Sequence, residues 1–164
     1  MTFEEFQANV QGWSKERGIY EHSNALAQAL KAVSEVGELA DATIKNDIAE
    51  LKDAIGDVAV CLVNVAYLMQ IEVDQQCITT VNCGKPSTLS SAAHASRAVT
   101  VVASYITFNC LPPVLIDDAF MYLRACAIAN NLDLLDCCEA AWHEIKDRKG
   151  HMVAGGAFVK ELDL

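Results

Sequence analysis

The stretch "DAIGDVAVCLVNVAYLM", residues 53–69, restricts the fold more than any other part of this chain. It is long enough for four to five helical turns and is apolar on nearly every side. A helix of that kind has to be covered by other elements on most of its surface. Yet it carries Asp53, Asp57 and Asn64. At about 100° per residue these three fall within roughly 40° of one another, on a single stripe. A buried helix with a column of carboxylates and an amide on one line needs neighbours that cover its apolar sides, and something that answers the acids.

The neighbours are legible as helices. Long segments lack Gly and Pro, and the three prolines, Pro86, Pro112 and Pro113, fall in two short breaks. The chain is 52% hydrophobic but only 7% aromatic, so its core is built from Ala, Val, Leu, Ile and Cys, which suits packed helices. A first helix is expected over 2–17, with Thr2 as N-cap and Glu5 at capping-box spacing, ended by Gly18. A second runs from an N-cap at Ser23 to Lys45, with an apolar arc of Leu26, Leu30, Val33, Val36, Leu39 and Ile44. "KND" turns the chain into a third helix, 48–71. A short segment at 73–81 precedes the loop "NCGKPSTLSS". Helices over 90–109 and 114–130 follow, then the turn "NNLD" and a last helix over 133–148. Residues 150–164 form a tail with a hairpin signal around Gly155-Gly156. The expected class is all-α, a four-helix-bundle-like single domain over 1–164 with an extra helix pair. Residues 82–131 read either as an insertion or as a diverged copy of the second and third helices. The copy is suggested by "DVAVCLVNVAYLMQIEVDQQC" laid over "DAFMYLRACAIANNLDLLDCC".

Charge narrows the function. The formal net charge is −10, which disfavours a nucleic-acid polymer as partner. No Asp or Glu occurs from Gln75 to Ile116, so the acids concentrate on either side of that gap. Seven cysteines without a CxxC pair read as free thiols in a reducing cytosol, and "MTFEEFQANV" is unlike a signal peptide, so a cytoplasmic location is expected. The most membrane-like stretch, 98–116, is broken by Thr100, Ser104, Thr107 and Asn109 and ends in Pro112-Pro113, so no membrane span is expected.

"SEVGELAD" places Glu35 and Glu38 three apart on the second helix. Asp53 and Asp57 lie four apart on the third. A connection of a few residues makes the two helices antiparallel neighbours, so four carboxylates converge between them. Such a cluster repels itself unless a cation sits in it, and Mg²⁺ is the usual partner of an all-oxygen set. ExxE alone more often marks a solvated helix face; the aspartate column on an apolar helix is harder to explain that way. Asp53 capping the helix start and Asn64 satisfying a neighbouring backbone group is the competing structural reading.

"LKAVSEVGELADA" followed by "KDAIGDVAVCLVNVA", with "EIKDRKG" later, resembles the MazG-like nucleoside triphosphate pyrophosphohydrolases of the all-α NTP pyrophosphohydrolase superfamily, in the style of the small versions carried by bacteriophages. The resemblance covers about residues 1–75 and 132–162. The family's signature is ExxE, a spacer, then ExxD. Glu35 and Glu38 match the first half and Asp57 the final Asp. The position three before Asp57 is Ala54; the nearest acid, Asp53, lies four before, which one helical turn accommodates equally well. Glu50 is a reserve ligand one turn earlier.

The resemblance implies Mg²⁺, with Mn²⁺ as substitute, held by Glu35, Glu38, Asp53 and Asp57, and hydrolysis of an NTP or dNTP to the monophosphate and pyrophosphate. Glu38 and Glu35 are the catalytic candidates, with Glu38 the first choice of general base among four carboxylates whose roles the sequence does not separate. Lys31, Lys146, Arg148 and Lys149 are the candidate phosphate contacts; Asn64 would reach base or sugar, and Trp13 would stack on the base. It further implies a homo-oligomer, a dimer being favoured if 82–131 fills the place of a second subunit. Two other classes compete: a degenerate relative that binds a nucleotide or a protein without turnover, suggested by Ala54 and the acid-free stretch, and a purely structural helical adaptor.

Overall fold

The computed structural model describes residues 1–79, 87–108 and 110–161. The chain is all-α apart from one short hairpin. Its helices are α1 (Phe3–Glu16), α2 (Ile19–His22), α3 (Ala25–Lys45), α4 (Ile48–Leu68), α5 (Gln75–Thr79), α6 (Thr88–Thr107), α7 (Pro113–Ala129) and α8 (Leu134–Ile145). Strands β1 (Gly150–Met152) and β2 (Phe158–Lys160) pair antiparallel, with His151 opposite Val159.

The ends of the helices follow from local chemistry. Thr2 and Glu5 form the reciprocal capping box: the Glu5 amide donates to Thr2 Oγ1 at 3.2 Å and the Thr2 amide to Glu5 Oε2 at 2.8 Å. Gly18, at φ 69°, ends the first helical run, and the single turn α2 follows. The cap of α3 is Asn24, one residue beyond the expected Ser23; its side chain accepts from the Ala27 amide. Ser23 instead accepts a hydrogen bond from Gln28. Asn46 adopts the left-handed conformation that stops α3, and Asp47 caps α4 at once, so only two residues separate the helices. Asp133 caps α8, and Pro113 occupies the first turn of α7. The loop expected at 82–91 lies partly outside the described residues.

α4 is the central rod. It packs against α1, α3, α7 and α8, and every residue from Val58 to Ala66 is buried. Of the bulky arc expected on α3, Val36 and Leu39 are buried and Val33 packs against the core, but Leu30 and Ile44 are 58% and 74% exposed. Ala29, Ala32 and Ala42 are buried instead, on a helix that packs against both α4 and α6. Small side chains let packed helices approach closely, and Leu30 and Ile44 are left on the rim. α6 packs on α7 as α3 packs on α4, an arrangement common to a repeat and to an inserted helix pair. All six cysteines among the described residues are free; Cys83 lies outside them.

The other close approach is between α4 and α8. A Cβ added at Gly56 would stand 2.6 Å from both Ala141 Cβ and the Cys137 carbonyl oxygen. Neither atom is the end of a flexible side chain, so α8 would have to move. Gly56→Ala should therefore destabilise the fold by about 1–3 kcal/mol through overpacking, despite the better helix propensity of alanine. Thermal unfolding followed by circular dichroism checks this; a variant as stable as the parent would show that the two helices are not in tight contact there.

Candidate functional site

A cavity of about 710 Å³ opens beside the groove between α3 and α4 and is closed by α1, the end of α8 and the hairpin. That volume suits a small-molecule ligand. Glu35 and Glu38 reach it from α3, and Asp53 and Asp57 from α4. The four carboxylates singled out in the sequence thus line one wall system. Ala54, at the position of the missing signature acid, is buried against the core, so on this helix Asp53 is the residue that faces the cavity. Glu50, the reserve acid, lies on the first turn of α4 and is absent from the lining.

The sequence reading missed a fifth acid, Glu144 of α8, and a third cation, Lys160 of β2, both of which line the same space. Glu144 stands one turn before Arg148 in the motif prized for its cations, and its own charge was overlooked. Five carboxylates and three cations therefore share the cavity, and two of the cations are committed. Lys31 Nζ donates to Glu35, which is almost wholly buried, and Arg148 donates to Glu144. Half-burial pulls the Lys31 ammonium down, but its hydrogen bond to Glu35 together with the negative charges around it, those of Glu35 and Asp57 among them, outweighs that and the net shift is upward.

Asp57 feels the surplus of negative charge. Burial first, then the charges of Glu35, Asp53 and Glu144, raise its carboxyl to about 7, against a lesser opposing pull from Arg148. Asp53 is more open and rises to about 6. Loss of water is again the largest cause, followed by the charge of Glu144 and a hydrogen bond between the two carboxyl groups, which needs a proton on one of them. Among the described residues no three acids already stand together as a ligand set, so convergence on one ion would require their side chains to rotate. The donor set does fit a hard dication: it is all oxygen, carries excess negative charge, and holds protons near neutrality where a cation would displace them.

Asn64 continues the stripe as expected, but it is fixed in place. Its Oδ1 accepts from Ser14 Oγ at 2.7 Å and from Tyr20 Oη at 2.9 Å, while its Nδ2 donates to Gln28 Oε1 at 3.4 Å. Tyr20 in turn stacks on Tyr67. Trp13 lines the cavity as well as the core, edge-on to Phe158 and with the Arg17 guanidinium 4.8 Å from its ring centroid. Arg17 also donates to the carbonyls of Lys146 and Arg148, tying the segment after α8 to α1. Of the expected phosphate contacts, Lys31 and Arg148 reach the cavity; Lys146 and Lys149 are exposed and do not line it.

No known family profile matches the chain, and no solved structure matches it. A 64-residue segment is 34% identical to an uncharacterised 18.2 kDa protein from the rep-hol intergenic region of Haemophilus phage HP1. The match spans 39% of this chain and 39% of the phage protein. Among the described residues no helix is long and apolar enough to cross a membrane.

The raised carboxyls have a defined consequence for stability in metal-free buffer. A folded-state pKa above the unfolded one means that Asp57 contributes most when it is protonated. That contribution is full below about pH 4 and is lost as pH rises through about 7. Asp57→Asn removes the penalty, so its melting temperature should gain on the parent's between pH 5 and 8 in EDTA. A gap that stays constant or narrows over that range would contradict the placement of Asp57.

Proposed function

We propose that this protein is a Mg²⁺-dependent nucleoside triphosphate pyrophosphohydrolase, releasing pyrophosphate and a nucleoside monophosphate. The observation that carries the reading is the meeting of Glu35, Glu38, Asp53 and Asp57 in one cavity that also holds Lys31 and Arg148. The resemblance of the ExxE segment and the aspartate column to MazG-like enzymes supports it.

Glu35, Glu38, Asp53 and Asp57 would hold the ion. Bound Mg²⁺ would supply charge neutralisation on the phosphates and a lowered pKa for water. The chain's own groups do the rest. Lys31, beside Glu35, and Arg148, at the end of α8, face the cavity as cations for phosphate oxygens. Glu38 lines the cavity, is exposed, and is positioned to accept the proton of the attacking water. The apolar walls from α1 and the hairpin narrow the access of bulk water.

Ala54 favours a second reading, in which the protein binds nucleotide without turnover; it would show saturable Mg²⁺-dependent binding and no pyrophosphate. A structural adaptor would show no effect of Mg²⁺ on melting, whereas binding to the native state alone must raise it. The deciding experiment is pyrophosphate release from a panel of NTPs and dNTPs, with the Asp57→Asn variant alongside. Turnover requiring Mg²⁺ or Mn²⁺ is expected. The variant should lose about 100-fold or more in kcat/KM with its helicity intact, since even outer-shell partners of a metal are worth 10–100-fold. Unchanged turnover in Asp57→Asn would remove the site. Light scattering should find nothing larger than a dimer if α6 and α7 occupy the place of a second subunit.

A further inference from the structure

We propose that the end of the cavity away from the acids reads the nucleobase by donating hydrogen bonds, and so selects bases that carry a carbonyl oxygen where adenine and cytosine carry an exocyclic amine, namely guanine, uracil and thymine. The inference rests on the pyrophosphohydrolase reading only in taking the ligand to be a nucleotide.

The groove sets the scale. Asn64 lies seven residues beyond Asp57 on α4, and Gln28 seven residues before Glu35 on α3. Each interval is two helical turns, about 10 Å. The Asn64–Gln28 hydrogen bond shows that these two positions face each other across the groove. A ligand with phosphates among the carboxylates therefore has its base beside the two amides. The walls there are Ile19, Leu26, Trp13 and Phe158, flat and apolar enough for a heterocycle.

The polarity of the amide end follows from its bonding. Asn64 Oδ1 already accepts two hydrogen bonds, from Ser14 and Tyr20, and an amide oxygen has two lone pairs. Its acceptor capacity is filled. Its Nδ2 carries two protons and spends one on Gln28, so what Asn64 retains for a ligand is an N–H. Trp13 supplies the independent observation. The residue is 7% exposed and lines the cavity, yet among the described residues its Nε1 finds no acceptor. A buried indole N–H without a partner is costly, and a ligand oxygen would satisfy it once a small shift of the ring opens the closed-off Nε1 to the cavity. Gln28 Nε2 adds a further N–H beyond the one given to Ser23, and its Oε1 keeps one lone pair. Donors thus outnumber acceptors. Guanine O6 and the O4 of uracil or thymine complement them, whereas adenine and cytosine place an amine at the corresponding position and set N–H against N–H.

Calorimetric titration of the whole protein with dGMP, dUMP and dAMP in the presence of Mg²⁺, which leaves the phosphate end the same for all three, tests this through their ratio. Affinity for dGMP and dUMP should exceed that for dAMP about tenfold or more, the scale of one unmatched buried polar group. Trp13→Phe keeps an aromatic face and removes the indole N–H; Asn64→Asp keeps an oxygen for Ser14 and Tyr20 and, at a pH where the new carboxyl is ionised, removes the donor. Each should bring the ratio toward unity. A merely structural role would weaken all three ligands together and leave the ratio unmoved. Equal affinities, tightest binding of dAMP, a ratio unaffected in both variants, or no binding of any mononucleotide at millimolar concentration would each overturn the proposal. Pyrophosphate release by the same preparation reports separately on the hydrolytic reading, which stands or falls on the carboxylates.

Discussion

Close antiparallel packing of α3 on α4 is the constraint from which the rest of the molecule follows. The two-residue turn at Asn46 and Asp47 folds α3 back along α4, and the Asn64–Gln28 hydrogen bond marks the register between them. That register sets Glu35 and Glu38 beside Asp57 and Asp53, and Gln28 beside Asn64. Burial in that groove first, and then repulsion among its carboxylates, Glu144 of α8 included, raises the carboxyls of Asp53 and Asp57. A groove that concentrates acid along half its length and amides along the other half has the polarity of a ligand with a charged and an uncharged end.

α8 completes the groove because Gly56 allows it to. With no Cβ between α4 and the Cys137–Ala141 turn of α8, the end of that helix comes near enough for Glu144 and Arg148 to reach the cavity. Arg17 then holds the following segment by its carbonyls, and the hairpin folds back so that Gly156, at φ 78°, lies against Ser23. Sequentially distant pieces thus meet over one space: α1, the start of α3, the middle of α4 and the last fifteen described residues.

Much of this was legible in the sequence, and the parts that were not have physical reasons. The all-α class, the capping box at Thr2, the turn after Lys45 and the tail hairpin all rest on local signals, and these survive folding. The carboxylate column was legible because Asp53, Asp57 and Asn64 sit on a helix otherwise too apolar to leave the core. The apolar arc of α3 held at Val33, Val36 and Leu39 but not at Leu30 and Ile44, since periodicity weighs large apolar residues above alanine although close helix packing favours alanine. Glu144 and Gln28 were overlooked because their importance depends on what stands across the cavity. Lys146 and Lys149 were grouped with Arg148 by adjacency, yet neighbouring residues on the chain point in different directions, and only Arg148 turns inward.

The account stands on the carboxylates of α3 and α4 acting together on one ion and one triphosphate. The most direct measurement is a crystal structure with Mn²⁺ and a non-hydrolysable deoxynucleoside triphosphate, the metal located by its anomalous scattering. The account predicts Mn²⁺ bound by oxygens from both helices, Asp57 among them, with the phosphates toward Lys31 and Arg148. Metal bound elsewhere, or a nucleotide seated outside this groove while Asp53 and Asp57 stay unliganded, would contradict it.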